Sequence, residues 1–500
     1  MPSPSRTGQS LQVAIVGAGL AGLCLAIKLK QAGITSFAVL EKSGRIGGTW
    51  RDNTYPGAAC DIPSHLYSFS FERRADWSRT FATQPEILGY IEELARKYDL
   101  YPHIRLNTAL AAAHFERGAW HIRTESGEEI TAKALVTACG QLNRPRIPDL
   151  PGRDIFAGSQ FHSARWDHDV SLAGKRVAVI GNGASAIQII PQIAPVAAKL
   201  HVFQRSANWL VPRKDGPYSR AEKWIFRHVP LTERLRRWAI YAQLDVAFAG
   251  FRQRGWVGGL VGRIAEHIAT RHLNRQVADP RLRALLRPDY PMGCKRVLIA
   301  DDYYPALQRP NVELVTAPLQ CLTRDSIVTT DGTARPIDVV IYATGFEATE
   351  FLASMEIVGA EGVPLRRRWQ EGAEAYYGMA VPGFPNFFMM YGPNTNLGHN
   401  SIVFMIECQA NYIRRCLERL LNGGLAELEV KPEAMAQFES RLQKDLAHTV
   451  WNAACRNWYK TASGKIVTNW SGFTAQYWWR TLRPNFGDFR TLPGNSMKAS

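Results

Sequence analysis

Apolar and polar positions along the chain fall into blocks whose period changes. Val13–Val16 is a short apolar run that enters the glycine-rich turn Gly17–Gly22 (GAGLAG). A helix-like stretch from Leu23 to Gln31 follows, then a second apolar run, FAVLE, ending at Glu41. A short, wholly apolar run bounded by glycine reads as a buried strand, so the block reads strand, turn, helix, strand. The order recurs: Arg176–Ile180 (RVAVI) enters Gly181–Ala186 (GNGASA), a helix-like stretch, and then Leu200–Gln204 (LHVFQ). Two βαβ units are therefore predicted. Ala134–Gly140 (ALVTACG) and Asp338–Phe346 (DVVIYATGF) read as buried strands running into turns. Residues 215–290 differ. They are rich in Arg and Trp and predict amphipathic helices, Glu233–Phe248 among them, as a helical insertion. The tail from Asn452 to Arg490 is aromatic-rich and reads as loop.

Composition adds limits. The 500 residues, 46% hydrophobic and 21% charged, are ordinary for a globular protein, and at ~150 residues per domain they suggest about three domains. The segment Met1 to Gln12 is polar and lacks the apolar core of a secretory signal. The eight cysteines include no C-x-x-C pair, so the expectation is reduced thiols in a cytoplasmic protein. The uncharged stretches Val177–Ala198 and Tyr376–Ile406 are broken by Gly, Pro and Asn, so no membrane partner is expected. The net charge of +16 leaves three partners open: nucleic acid, an anionic membrane surface, or a polyanionic small ligand. No zinc module, RNA-binding aromatic pattern or long basic run supports nucleic acid.

The glycine turns favour the small ligand. In the first, Gly17 permits the tight turn, Gly19 lets a pyrophosphate approach the backbone, and Gly22 lets helix and strand pack closely. Glu41, 19 residues after Gly22, is placed to accept hydrogen bonds from a ribose diol, which suits FAD or NAD. The second turn offers Gly181, Asn182, Gly183, Ser185 and Ala186. Arg205, 19 residues after Ala186, takes the place of the acid, with Ser206 beside it. A cation there favours a 2′-phosphate, hence NADPH. One chain with two dinucleotide sites is most simply a flavoenzyme in which NADPH reduces FAD. A disulfide reductase would need a close cysteine pair after the first unit, where only Cys60 lies. A simple quinone or metal reductase and a monooxygenase remain.

Two longer patterns bear on that choice. Phe156–Asp167 reads FAGSQFHSARWD and Gly47–Asp61 reads GGTWRDNTYPGAACD. The first resembles the F-x-G-x-x-x-H-x-x-x-W-[PD] fingerprint of type I Baeyer–Villiger monooxygenases. The second is similar to their [AG]-G-x-W-x4-[FY]-P-[GM]-x3-D pattern. Related N- and S-oxygenating flavin monooxygenases usually carry Tyr or Phe at the position of Trp166. The resemblance runs from Val13 to about Arg490 and implies an α/β fold with two Rossmann-like domains and the helical insertion. The expected partition is 1–150 and 346–500 for FAD, 151–214 and 291–345 for NADP, and 215–290 for the insertion. It also implies conversion of a ketone to an ester or lactone with O2 through a C4a-peroxyflavin. The alternative is S- or N-oxygenation on the same architecture.

The resemblance further implies residue roles. Lys295-Arg296, in GCKRVLIADDYY, matches the family's Lys-Arg pair. Arg296 is the implied catalytic cation, Asp61 its partner, and Lys295 a contact for the NADP phosphate. His162, at the centre of the first fingerprint, is implied to shape domain motion. Trp458, in NWYKTASGK, is implied to lie near the nicotinamide ribose and the substrate. Gly48, Thr49, Trp50, Tyr67, Leu110, Gln141 and Ile402 are the implied FAD contacts, with His399 also placed near the flavin. Cys139 departs from the family's usual Thr in ACGQLNRP. The substrate is a small ketone of unspecified identity, and a monomer is the expectation.

Overall fold

A computed structural model describes residues 10–252, 256–455 and 457–494. Two sheets organise the chain. The first contains the strands Ser10–Val16, Phe37–Leu40, Ile104–Arg105, Leu110–Glu116, Ala119–Thr124, Glu129–Thr137, Glu356–Val358 and Phe387–Met389. Its centre is parallel, with Val13 opposite Phe37 on one side and Ala134 on the other. The second is wholly parallel, in the spatial order Val312–Val315, Lys199–Phe203, Arg176–Ile180, Val339–Tyr342, Ser159–His162. Both have the α/β design of strands covered by helices, which is why their central strands are apolar on both faces.

The helix after the first turn, Leu20–Gln31, begins inside GAGLAG with Gly19 as its N-cap, earlier than the apolar spacing suggested. It is apolar on nearly every side because it packs between its own sheet and the long helix Ile402–Asn422. The insertion consists of the helices Arg220–His228, Pro230–Ala247, Trp256–Gln276 and Pro280–Leu285. The tail is not all loop. It holds the helix Thr474–Thr481 and the strand Phe489–Pro493, which pairs antiparallel with Leu425–Val430.

Two further expectations change. The helix Pro230–Ala247 buries Glu233, Arg237, Ile240 and Asp245 rather than its richest apolar stripe. Partners for the charges explain this. Arg73 reaches Glu233 at 2.6 Å, Arg237 donates to the carbonyls of His65 and Ser68, and Asp245 accepts from the Thr474 amide and hydroxyl. The thiols are not all free: Cys294 and Cys455 form a disulfide. The partners stand 161 residues apart, so a search for local spacing could not join them. No helix among the described residues is long and apolar enough to cross a membrane. The segment read for a leader lies, through Gln9, outside the described residues.

Candidate active site

The two glycine turns open onto one cavity of about 1350 Å³. In the first turn, Gly17 has φ +107°, and a Cβ on Gly22 would stand 1.9 Å from the Gly17 carbonyl oxygen. Only glycine at position 22 lets the helix start directly on the turn. Glu41 is buried and ties this turn to the strand end. It accepts from the Ala18 amide at 2.9 Å and the Ser43 amide at 3.0 Å. Arg51 adds an ion pair at 2.9 Å. Arg51 lines the cavity and was not singled out in the sequence, because it occupies an unspecified position of the fingerprint inside GGTWRD.

The wall beside this turn carries Gly48, Thr49, Trp50, Tyr67, Leu110, Gln141 and Ile402. Trp50 donates its indole N–H to the Tyr67 hydroxyl at 3.1 Å. Gln141 donates to the carbonyls of Tyr391 and Gly392, while its buried Oε1 has no partner among the described residues. A buried amide oxygen without a donor fits a ligand that brings one. Tyr391 and Asn396 were also missed. Tyr391 lies at φ +56°, a conformation L residues seldom adopt, and donates to Asn396 Oδ1 at 2.7 Å. Both line the cavity, and their flanking Gly392 and Pro393 were the available signal.

The second turn contributes Gly181, Asn182, Gly183 and Ser185 to the same wall. Ala186 starts the helix Ala186–Ile193 and is buried. Asn182 donates to Gln204 Oε1 and to the Ser206 carbonyl, which holds the turn against the next strand. Arg205 and Lys295 sit together at the open edge. Lys295 donates to Ser206 Oγ at 2.6 Å and lies 4.3 Å over the Tyr290 ring. Burial and the Arg205 charge pull its ammonium below the ordinary lysine value. Two cations that destabilise each other are a fit for a dianionic phosphate.

Between the turns stands Arg296, held by Asp61 through Nε at 3.1 Å and Nη2 at 2.6 Å to one oxygen. The Asp61 carboxylate drives the guanidinium pKa still higher than its usual value. Nη1 has no partner among the described residues, so donors remain for a bound anion. Tyr391 and Tyr459 are its other close polar neighbours, and burial pushes Tyr459 up to about 12. Trp458 lines the cavity next to Tyr459. The disulfide from Cys294 to Cys455 joins the loop before Lys295 to the loop before Trp458.

His162 and His399 are not in the cavity wall. His162 Nδ1 accepts from the Ala164 amide at 3.1 Å, and Nε2 lies 3.0 Å from the Gly345 carbonyl. That pairing fixes the neutral ring with its proton on Nε2, and burial lowers its pKa in the same sense. The ring thus holds Gly345, which does line the cavity. His399 is buried among Phe248, Phe251 and Asp245.

Comparison with known proteins agrees with this geometry. A family model described as pyridine nucleotide-disulphide oxidoreductase matches residues 14–225, a span that takes in both glycine turns. A Baeyer-Villiger monooxygenase of Streptomyces coelicolor is 42% identical over 98% of this chain and 95% of its own length. One of Pseudomonas aeruginosa is 42% identical over 95% and 90%. Among solved structures, an oxidized steroid monooxygenase bound to NADP superposes with a TM-score of 0.87 at 31% identity, covering 97% of this chain and all of that one. Cyclohexanone monooxygenase from Rhodococcus sp. Phi1 bound to NADP+ gives 0.88 at 27% identity, over 98% of this chain and all of its own. With two dinucleotide turns on one cavity and an arginine between them, the chain belongs to the Baeyer–Villiger monooxygenases, flavoproteins that use FAD and NADPH.

Proposed function

We propose that the protein inserts one atom of O2 beside the carbonyl of a small ketone, giving an ester or, from a cyclic ketone, a lactone. The balance is ketone, O2, NADPH and a proton in; ester, water and NADP+ out. Bound FAD, once reduced, supplies the electrons that activate oxygen. The reading rests on one observation above others: the Arg296–Asp61 pair in the wall shared by both glycine turns. A guanidinium with free donors stabilises negative charge that builds on oxygen during transfer. One such preorganised donor is worth about 3–4 kcal/mol in related chemistry. Asp61 holds it in place, and the charge on Arg296 is permanent at any working pH.

Around that pair the residues divide the remaining tasks. Glu41 and the Gly17–Gly22 turn bind the FAD ribose and pyrophosphate. Gln141 Oε1 and the Trp50–Tyr67 pair border the flavin. Lys295 and Arg205 take the 2′-phosphate of NADPH. Trp458 covers the ketone side, and His162 acts as a positioning residue through Gly345. The partition into an FAD part (1–150, 346–500), an NADP part (151–214, 291–345) and an insertion (215–290) follows the same reading.

The test is direct. The yellow holoenzyme receives NADPH, O2 and a panel of linear and cyclic ketones, with products read by mass spectrometry. Ester or lactone formation is expected; NADPH consumption without any such product across the panel would overturn the reading. Arg296→Ala should still be bleached by NADPH under anaerobic conditions yet yield ester at least about 100-fold more slowly. A parallel thioether panel reads out heteroatom oxygenation.

A further inference from the structure

The helix Pro230–Ala247 is turned inside out. Its buried face carries Glu233, which accepts from Arg73 through Oε2 and lies 3.7 Å from His65 Nδ1 through Oε1, and Arg237, which donates to the carbonyls of His65 and Ser68. Its outer face carries Leu231, Leu235, Trp238 and Val246, between 59 and 63% exposed. The spacing i, i+4, i+7, i+15 puts all four on one stripe. The preceding helix adds Trp224 at 59%. Asp245 also bonds Thr474, the first residue of the helix that exposes Trp479. Isolated exposed apolar residues are ordinary, but a four-residue stripe that includes Trp238, with Trp224 exposed on the adjoining helix, marks a contact surface.

Charge decides what covers it. The two helices from Arg220 to Ala247 present Arg220, Arg227, Arg234 and Arg236 outward, with Lys223 half-buried beside them. Their one exposed carboxylate, Glu222, is consumed in a capping box with Ser219. Arg227 reaches Asp76 at 3.6 Å, whereas Arg220, Lys223 and Arg234 have no ion-pair partner among the described residues. A second copy seated on this face by a twofold axis would set these cations against themselves. An apolar stripe with Trp at its centre and free Arg at its flanks has the composition of a helix lying in a lipid headgroup layer.

We propose that the helices Arg220–His228 and Pro230–Ala247 dock the enzyme on an anionic phospholipid surface. The stripe enters the headgroup layer, the arginines meet lipid phosphates, and no segment crosses the bilayer. This revises the expectation of no membrane partner and accounts for part of the +16 charge. It stands apart from the ester-forming reading, since none of its residues lines the cofactor cavity.

The test uses the FAD-loaded full chain and vesicles of phosphatidylcholine alone or mixed in equal parts with phosphatidylglycerol. Co-sedimentation with the anionic vesicles only, reversed by salt, is expected. The pair Leu235→Ser with Trp238→Ser should weaken it at least about tenfold, as should Arg220→Ser with Arg234→Ser. Flavin content and NADPH oxidation in solution should be unchanged in all variants. Absence of binding to anionic vesicles, or binding that either double variant leaves intact, would overturn the proposal. So would sedimentation velocity showing that the stripe instead holds two copies together.

Discussion

The two glycine turns are the same local device set in different surroundings. Gly17 and Gly181 both have φ above +100°, and each would drive a Cβ into the carbonyl of the neighbouring strand's end, Ala138 or Ala343. Beyond that point they diverge. The first turn is closed: Gly22 touches Gly17, and Glu41 is buried with two amides and Arg51 upon it. The second is looser: the counterpart of Gly22 is Ala186, which carries a Cβ, a Cβ on Gly183 would meet nothing within 4 Å, and Arg205 stands exposed. A buried acid held by three donors, with acceptor capacity left on Oε2, suits a group that stays bound through many turnovers. An exposed arginine beside a half-buried lysine suits one that arrives and leaves, because the Arg205 charge remains solvated without the ligand. The two sites therefore differ less in the turn itself than in the residue that follows the second strand, Glu41 buried and Arg205 exposed.

The contrast can be broken most severely at the turns. Gly22→Ala places a methyl 1.9 Å from the Gly17 oxygen, and the protein should lose FAD and its cooperative melting, read by flavin absorbance and calorimetry. Gly183→Ala should keep FAD and a wild-type melting point. Equal damage from both would erase the distinction. Next in size is the coenzyme choice. Arg205→Ala with Lys295→Ala removes two charged contacts, so the NADPH-over-NADH ratio of kcat/KM should fall by about 10- to 100-fold. FAD content should not move. The smallest effect concerns pH. Burial and Arg205 lower the Lys295 pKa, and a bound phosphate would raise it again. NADPH binding then takes up a proton as pH climbs through that lowered value. KM for NADPH should rise in the alkaline range before the ordinary lysine value of 10.5 is reached, and Lys295→Ala should flatten that rise.

Much of this was legible in the chain because the turns and fingerprints are local. A strand, a glycine turn and a helix are contiguous, so Gly17, Glu41, Gly181 and Arg205 could be placed from spacing alone. Arg51 was not, because it fills an unspecified position of its fingerprint in the short helix Thr49–Asp52, and Tyr391 and Asn396 were not, because they reach the cavity from a loop whose position depends on distant strands. The Cys294–Cys455 bond is the extreme case. The insertion teaches a different limit. Its apolar period was visible, yet period cannot say which face turns inward. Arg237 settles that by finding two carbonyls at 2.7 and 2.9 Å, an arrangement that no sequence window contains.

The chain passes twice between its two sheets, once near Arg144–Arg146 and once near Thr344–Glu347. The passes are stitched together: Arg146 donates its amide to Gly345, Glu347 donates its amide to Arg144, and Pro145 bridges Phe346. His162 pins Gly345 from the side. Because the two crossings bond to each other, they form one connector with two strands of chain, and removing the His162 ring would loosen both at Gly345.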